Sequence, residues 1–182
     1  IAIYPFIDFT FTESPVRTMA KREKRKLLDD ITGYCLDKGY IRDSIWTFSK
    51  GENVRSSSMT RDSFLGFGCS ATTLLQEQFK INTFSVEEYC GRIDKGLLST
   101  SLTIRFTLRQ RMVYYLFWTA YSTKVDPADF EEFFKVPLKK MYGFEFWIAK
   151  CLGFLREEKG VYHMTLKGAF YYHYYENFYT LS

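Results

Sequence analysis

Two glycines flank one aromatic residue in Leu65-Gly66-Phe67-Gly68, and four small residues follow, Cys69-Ser70-Ala71-Thr72. Glycine tolerates positive φ and lets another group come close to the backbone. Ser70, Thr72 and Thr73 add hydroxyls and main-chain amides. That inventory suits the wall of a site for a small polar ligand. The simpler reading is a tight turn leaving a strand. A polar run, residues 55–63, comes just before and carries Arg55 and Arg61. Arginine beside a glycine turn can hold a carboxylate; a plain surface loop accounts for the run equally well.

Upstream, residues 1–9 read as a short buried strand leading to a loop, with Pro5 arguing against a central strand position beyond Tyr4. Ser14-Pro15 predicts a helix start, and Gly39 a stop after Lys38. Leu27, Leu28, Ile31, Tyr34 and Cys35 fall on one face of that helix. Its first half carries Arg17, Lys21, Arg22, Lys24, Arg25 and Lys26, read as a solvated surface rather than an anion site. Residues 40–48 read as a second strand. Residues 1–84 thus give strand, helix, strand and loop, one α/β unit and too little for a closed barrel.

Downstream the pattern turns mostly helical. Ser85 and Glu88 form a capping-box pair, as do Thr107 and Gln110. The first predicts a helix to Gly96. Residues 97–106 read as extended, and residues 108–121 as a buried helix with Met112, Tyr115, Leu116 and Thr119 on one side. Asp126-Pro127 starts a short helix, and Pro137 starts another that breaks near Gly143. Residues 156–160 turn into a strand over 161–166, and Gly168 leads into an aromatic helix. Helices followed by a turn and strand resemble a winged-helix module, with a domain boundary near residues 82–85.

The chain has 182 residues, enough for one good core or two small ones. Fourteen Tyr and eighteen Phe suit either a helical core or the lining of a flat apolar ligand, and core is the favoured use. A net charge of +4 permits acidic ligands without demanding nucleic acid. The four cysteines, Cys35, Cys69, Cys90 and Cys151, include no C-x-x-C pair, so a zinc or iron–sulfur site is not expected from this chain. Widely spaced thiols point to a cytoplasmic setting. No apolar run is long enough to span a bilayer. The chain opens inside a strand and ends after an aromatic helix, which suggests a piece of a longer protein.

Phe64-Leu65-Gly66-Phe67-Gly68-Cys69-Ser70-Ala71 resembles the L-G-[FM]-G-x-[SG]-A signature of oxygen-independent coproporphyrinogen III oxidases and their relatives, which are radical S-adenosylmethionine proteins. Other stretches resemble that family in the same order. They are the opening Ile1-Ala2-Ile3-Tyr4-Pro5, then Gly39-Tyr40 leading to Trp46-Thr47-Phe48, and Thr165-Leu166-Lys167-Gly168 near the end. The resemblance covers nearly the whole chain. It implies an α/β (+α) architecture: residues 1–84 as the C-terminal piece of a partial (β/α) barrel, and residues 85–182 as a mostly helical, winged-helix-like domain.

The resemblance further implies oxidative decarboxylation of porphyrinogen propionates in tetrapyrrole and haem biosynthesis. S-adenosylmethionine and a [4Fe-4S] cluster would be the cofactors of the full-length protein. The cluster is held by a C-x-x-x-C-x-x-C motif that this sequence lacks, so the chain is expected to be inactive alone and to supply no catalytic residue. What it would supply is contact with the cofactor, through Phe6 and Ile7 at a strand end and through Gly66, Gly68, Ser70, Ala71 and Thr72. Cys69 stands where Pro or Val is usual, and Thr72 where many relatives have His, which leaves the substrate open.

The expected partner is a tetrapyrrole substrate or haem, with no membrane and an open oligomeric state. One alternative within the family is a haem-binding carrier. His163, His173 and the tyrosines Tyr171, Tyr172, Tyr174 and Tyr175 are the residues for that reading, although structural roles account for them more simply. A nucleic-acid-binding module is the alternative outside it. Only Lys139, Lys140 and Lys150 lie on the helix over residues 137–152, which is poor for DNA.

Overall fold

The computed structural model describes residues 1–4, 17, 19–51 and 63–181. Phe6, Ile7, Arg55, Arg61 and the expected helix start at Ser14-Pro15 lie outside them. The chain divides into two compact units, residues 1–56 with 119–182, and residues 57–118. Residues 82–85 lie inside the second unit.

In the first unit, α1 (Lys21–Asp37) begins after Ala20, whose extended backbone marks the cap. Ala20 has no side-chain acceptor. The Glu23 carboxylate instead reaches back to accept from the Ala20 amide at 2.6 Å. Gly39, at φ +75°, ends the helix as expected. The buried face is Leu28, Thr32 and Cys35, while Tyr34 points to solvent. The predicted strand over 40–48 is a hairpin instead. β1 (Ile41–Arg42) and β2 (Phe48–Ser49) pair antiparallel. Polar groups close the bend between them. The Ser44 and Thr47 hydroxyls meet at 2.7 Å, and Ser49 donates to Asp43 at 2.9 Å. The Arg42 guanidinium donates to the Ser44 and Ile45 carbonyls at 3.1 Å each. Burial holds the Arg42 pKa down at about 10, which leaves it charged at neutral pH.

Ala2 bridges Thr47, also antiparallel. Every strand pairing among the described residues is antiparallel, whereas a barrel pairs its strands in parallel. Among the described residues the architecture is mixed α/β with small antiparallel sheets and no closed barrel.

The rest of the first unit follows local signals closely. β6 (Lys124–Val125) leads to α4 (Pro127–Phe134), where the Asp126 carboxylate accepts from the Ala128 amide at 3.0 Å. α5 (Leu138–Cys151) is kinked at Tyr142, one residue before the predicted break. β7 (Leu155–Glu158) and β8 (Val161–Met164) form a hairpin turned at Lys159 and Gly160, both at positive φ. The predicted turn over 156–160 is thus mostly strand. β8 also pairs β6, giving the order β6-β8-β7. α6 (Leu166–Leu181) follows.

The core of this unit gathers Leu28, Ile45, Trp46, Phe48, Phe130 and Leu138, each essentially inaccessible. Burying one such side chain stabilises the fold by roughly 1.5–3 kcal/mol.

The second unit contains β3 (Thr72–Leu75), β4 (Gln78–Asn82), α2 (Val86–Ile93) and β5 (Thr100–Arg105), and the first turns of α3 (Leu108–Tyr121). Its sheet has the order β3-β4-β5, all antiparallel. Ser85 caps α2 by accepting from the Glu88 amide at 3.2 Å. The return half of that predicted box is replaced. Glu88 accepts instead from the Thr83 hydroxyl at 2.8 Å and from Arg92 at 2.5 Å. At α3 the box is complete, with both Thr107–Gln110 bonds formed. Phe79, Phe106 and Tyr114 pack ring against ring, with centroids 5.6–6.0 Å apart.

Candidate functional site

The glycine stretch lies along the outer side of β3. Phe64 bridges Leu74 through two main-chain bonds of 2.9 and 3.0 Å. The chain then runs so close to β3 that a Cβ on Gly66 would stand 2.1 Å from the Thr72 carbonyl oxygen. Only glycine fits there. The Gly66 amide donates to the Thr73 hydroxyl at 3.0 Å. Gly68 turns the chain at φ +102°, and Ser70 sits in the left-handed region at φ 56°.

The turn is closed by the elements beside it. The Gly68 amide donates to the Tyr89 hydroxyl of α2 at 3.1 Å, and its carbonyl accepts from the Asn82 side chain at 3.0 Å. The Ser70 amide donates to the Thr83 carbonyl at 2.9 Å, and the Ala71 carbonyl accepts from the Asn82 amide at 3.0 Å. Of the expected polar wall, the Gly66, Gly68 and Ser70 amides and the Thr73 hydroxyl therefore serve the loop itself. The loop offers solvent the Phe67 ring, 85% exposed, and the exposed Ser70. Sequence reasoning missed Tyr89 and Asn82, which pin the turn from 21 and 14 residues away respectively. Neither carries a local signal.

Of the site residues expected from the sequence, Gly66, Gly68, Ser70 and Ala71 lie in this loop and Thr72 begins β3. Phe6 and Ile7 are outside the described residues. Cys69 is a half-buried free thiol. Among the described residues no group of three or more His, Cys, Asp or Glu could hold a metal ion, so these residues do not fit a cluster. No helix among the described residues is long and apolar enough to cross a membrane. A separate open groove of about 450 Å³ in the second unit is lined by Phe106, Arg109, Val113, Tyr114 and Phe117, among others, and includes no residue of the glycine loop.

Four of the histidine and tyrosine candidates, His173, Tyr171, Tyr172 and Tyr174, make ring contacts within the first unit, and the Tyr175 side chain lies outside the described residues. His173 is buried edge-on against Trp46, with centroids 5.1 Å apart, and His163 lies on β8 opposite Lys124. Tyr171 packs on Phe154 at 5.2 Å, and Tyr172 on Tyr121 at 6.1 Å. Lys21 of the basic face sits 4.0 Å from the Tyr174 ring centre, a cation–π contact. The Thr165-Leu166-Lys167-Gly168 stretch is a helix cap. Thr165 Oγ1 accepts from the Gly168 amide at 3.0 Å and donates to the Gly153 carbonyl at 2.8 Å. A Cβ on Gly168 would lie 2.2 Å from the Phe154 carbonyl oxygen.

No protein-family model matches the sequence, and a search of curated proteins finds no match. Among solved structures, the fold is similar to that of a radical SAM enzyme, coproporphyrinogen III oxidase (HemN) from Escherichia coli. The TM-score is 0.61 at 12% sequence identity, and the match covers 86% of this chain. It takes in 40% of the HemN chain. At that identity the likeness establishes a related fold.

Proposed function

We propose that this chain is the C-terminal part of a radical S-adenosylmethionine protein of the coproporphyrinogen-oxidase kind, acting on a tetrapyrrole. In that reading residues 66–72 cover the cofactor, and the cluster is held by a part of the protein that precedes residue 1. The observation that carries it is a fold likeness to HemN running through 86% of the chain, together with the Leu65-Gly66-Phe67-Gly68-Cys69-Ser70-Ala71 stretch. The loop would act through shape and through Phe67, since several of its amides are already bonded within the unit. When bound, the cluster and S-adenosylmethionine would supply the radical that abstracts a substrate hydrogen.

The test starts from the reading frame upstream of Ile1. A Cys-x-x-x-Cys-x-x-Cys about one barrel's length ahead is expected. The reconstituted full-length protein should then cleave S-adenosylmethionine when coproporphyrinogen is present. A frame without the triplet overturns the reading. Haem binding by the full-length protein without cleavage would replace the oxidase with a carrier.

A further inference from the structure

We propose that the groove along α3 binds a planar aromatic carboxylate. The rings of Phe106, Tyr114 and Phe117 take its apolar body, and the Arg109 guanidinium takes the carboxylate. The groove, about 450 Å³ and open to solvent, lies within the second unit. It shares no residue with the glycine loop, so this site does not depend on the radical chemistry proposed above.

The groove is apolar because of helix spacing. Arg109 and Gln110, Val113 and Tyr114, then Phe117 line it, at the three- and four-residue steps that put side chains on one helix face. From Arg109 to Phe117 the stripe runs about 12 Å, at roughly 1.5 Å per residue. The rings are held by their neighbours. Phe79 stacks on Phe106 with centroids 5.9 Å apart and meets Tyr114 at 6.0 Å. Trp118 packs on Tyr114 at 6.2 Å and on Phe117 at 5.2 Å. These walls stand without a ligand, so ordering them costs little on binding.

The charge of the occupant follows from what surrounds the groove. From Lys95 to Val125 the sequence has no Asp or Glu, while Lys95, Arg105, Arg109, Arg111 and Lys124 are cationic. Arg111 is engaged: its Nε donates to the Gln76 carbonyl at 3.0 Å, and its guanidinium lies 5.6 Å from the Tyr114 ring centre. Arg109 takes no ion pair or hydrogen bond among the described residues. It is exposed in the first turn of α3, which has no acidic side chain. The positive end of the helix dipole lies there too, so an anion relieves both charges. Thr107 and Gln110 also line the groove but bond to each other at 3.0 Å in the cap. Arg109 is the only charged residue of the lining. One guanidinium matches one carboxylate through paired N–H···O bonds; it does not match the many phosphates of a nucleic acid.

Titration of the whole chain with naphthoate, followed by amide shifts in heteronuclear NMR, tests this. Saturable shifts centred on residues 106–117 are expected, with a Kd on the order of 0.1 mM, as suits a small ligand in an open groove. Naphthylmethanol, which has the same rings and no charge, should bind at least about threefold more weakly. Arg109→Gln should weaken naphthoate binding by at least the same factor and leave the alcohol unchanged. Val113 is 52% exposed, so Val113→Glu should fold. It places a carboxylate in the groove and should abolish the naphthoate shifts. Circular dichroism like that of the wild type shows that each variant is folded. A wild type without saturable shifts at residues 106–117 overturns the proposal. So does equal affinity for the acid and the alcohol. A folded Arg109→Gln or Val113→Glu variant that binds naphthoate as tightly as the wild type overturns it as well.

Discussion

The Thr72 carbonyl oxygen occupies the space that a side chain on Gly66 would need, 2.1 Å from its Cβ position. The obstacle is backbone within a paired strand, so it cannot swing aside. Gly66→Ala should therefore displace residues 64–66 from β3 and break the Gly66–Thr73 bond. Overpacking of this kind typically costs about 1–3 kcal/mol, and the loss should appear as a lower urea midpoint with an unchanged slope.

Thr165 and Gly168 form a second such pair, at the start of α6. Thr165→Ala removes the cap that receives the Gly168 amide. A destabilisation of about 1 kcal/mol is expected. Thr165→Ser, which keeps the oxygen, should restore most of it. Equal losses in the two variants would show that the methyl group, and not the cap, matters.

Phe67 should behave in the opposite way. Its ring is 85% exposed, so Phe67→Ala should change the stability of this chain by no more than about 0.5 kcal/mol. Thermal unfolding checks this. In the full-length protein the same variant should weaken S-adenosylmethionine binding if the loop covers the cofactor.

The ion pair between Lys150 and Glu157, 2.6 Å long, predicts a pH dependence. The hydrogen bond from Lys150 holds the Glu157 carboxyl below its ordinary 4.5. The bond to Glu157 raises Lys150 above its ordinary 10.5. For Glu157 the folded value lies below the unfolded one, so its contribution is complete above pH 4.5 and fades as pH falls through the folded value. For Lys150 the contribution is lost as pH rises through its raised folded value. Glu157→Gln should lower the urea midpoint at neutral pH. The gap to the wild type should close in acid below both values of Glu157. A gap that persists there would assign the effect to packing.

Local chemistry was readable in advance where a few adjacent residues complete it. Thr107 with Gln110 and Asp126 with Pro127 start helices because each side chain reaches an amide two or three residues away. Gly39 and Gly160 mark turns that need positive φ. The Gly66-Phe67-Gly68 stretch announced close backbone approach, and the approach is there, although the partner strand could not be named. Among the described residues α1 begins at Lys21. Its first turn rests on Glu23 reaching back to Ala20, a weaker sign than Ser-Pro.

By itself the sequence determined the caps at Ser85, Thr107 and Asp126, the kink near Gly143 and the turns at Gly39 and Gly160, because these depend on hydrogen bonds and φ preferences within one turn of chain. The tertiary structure alone decided which strands meet. Residues 40–48 read as a strand from the apolar Ile41, Ile45, Trp46 and Phe48, yet they fold back because the Arg42 guanidinium, the Ser44–Thr47 hydroxyls and the Asp43–Ser49 bond close a bend. Tyr89 and Asn82 reach the glycine loop only once α2 and β4 are packed around it. Trp46 and His173 meet across 127 residues of chain. Such contacts form when burial brings distant segments together, and no spacing along the sequence encodes them.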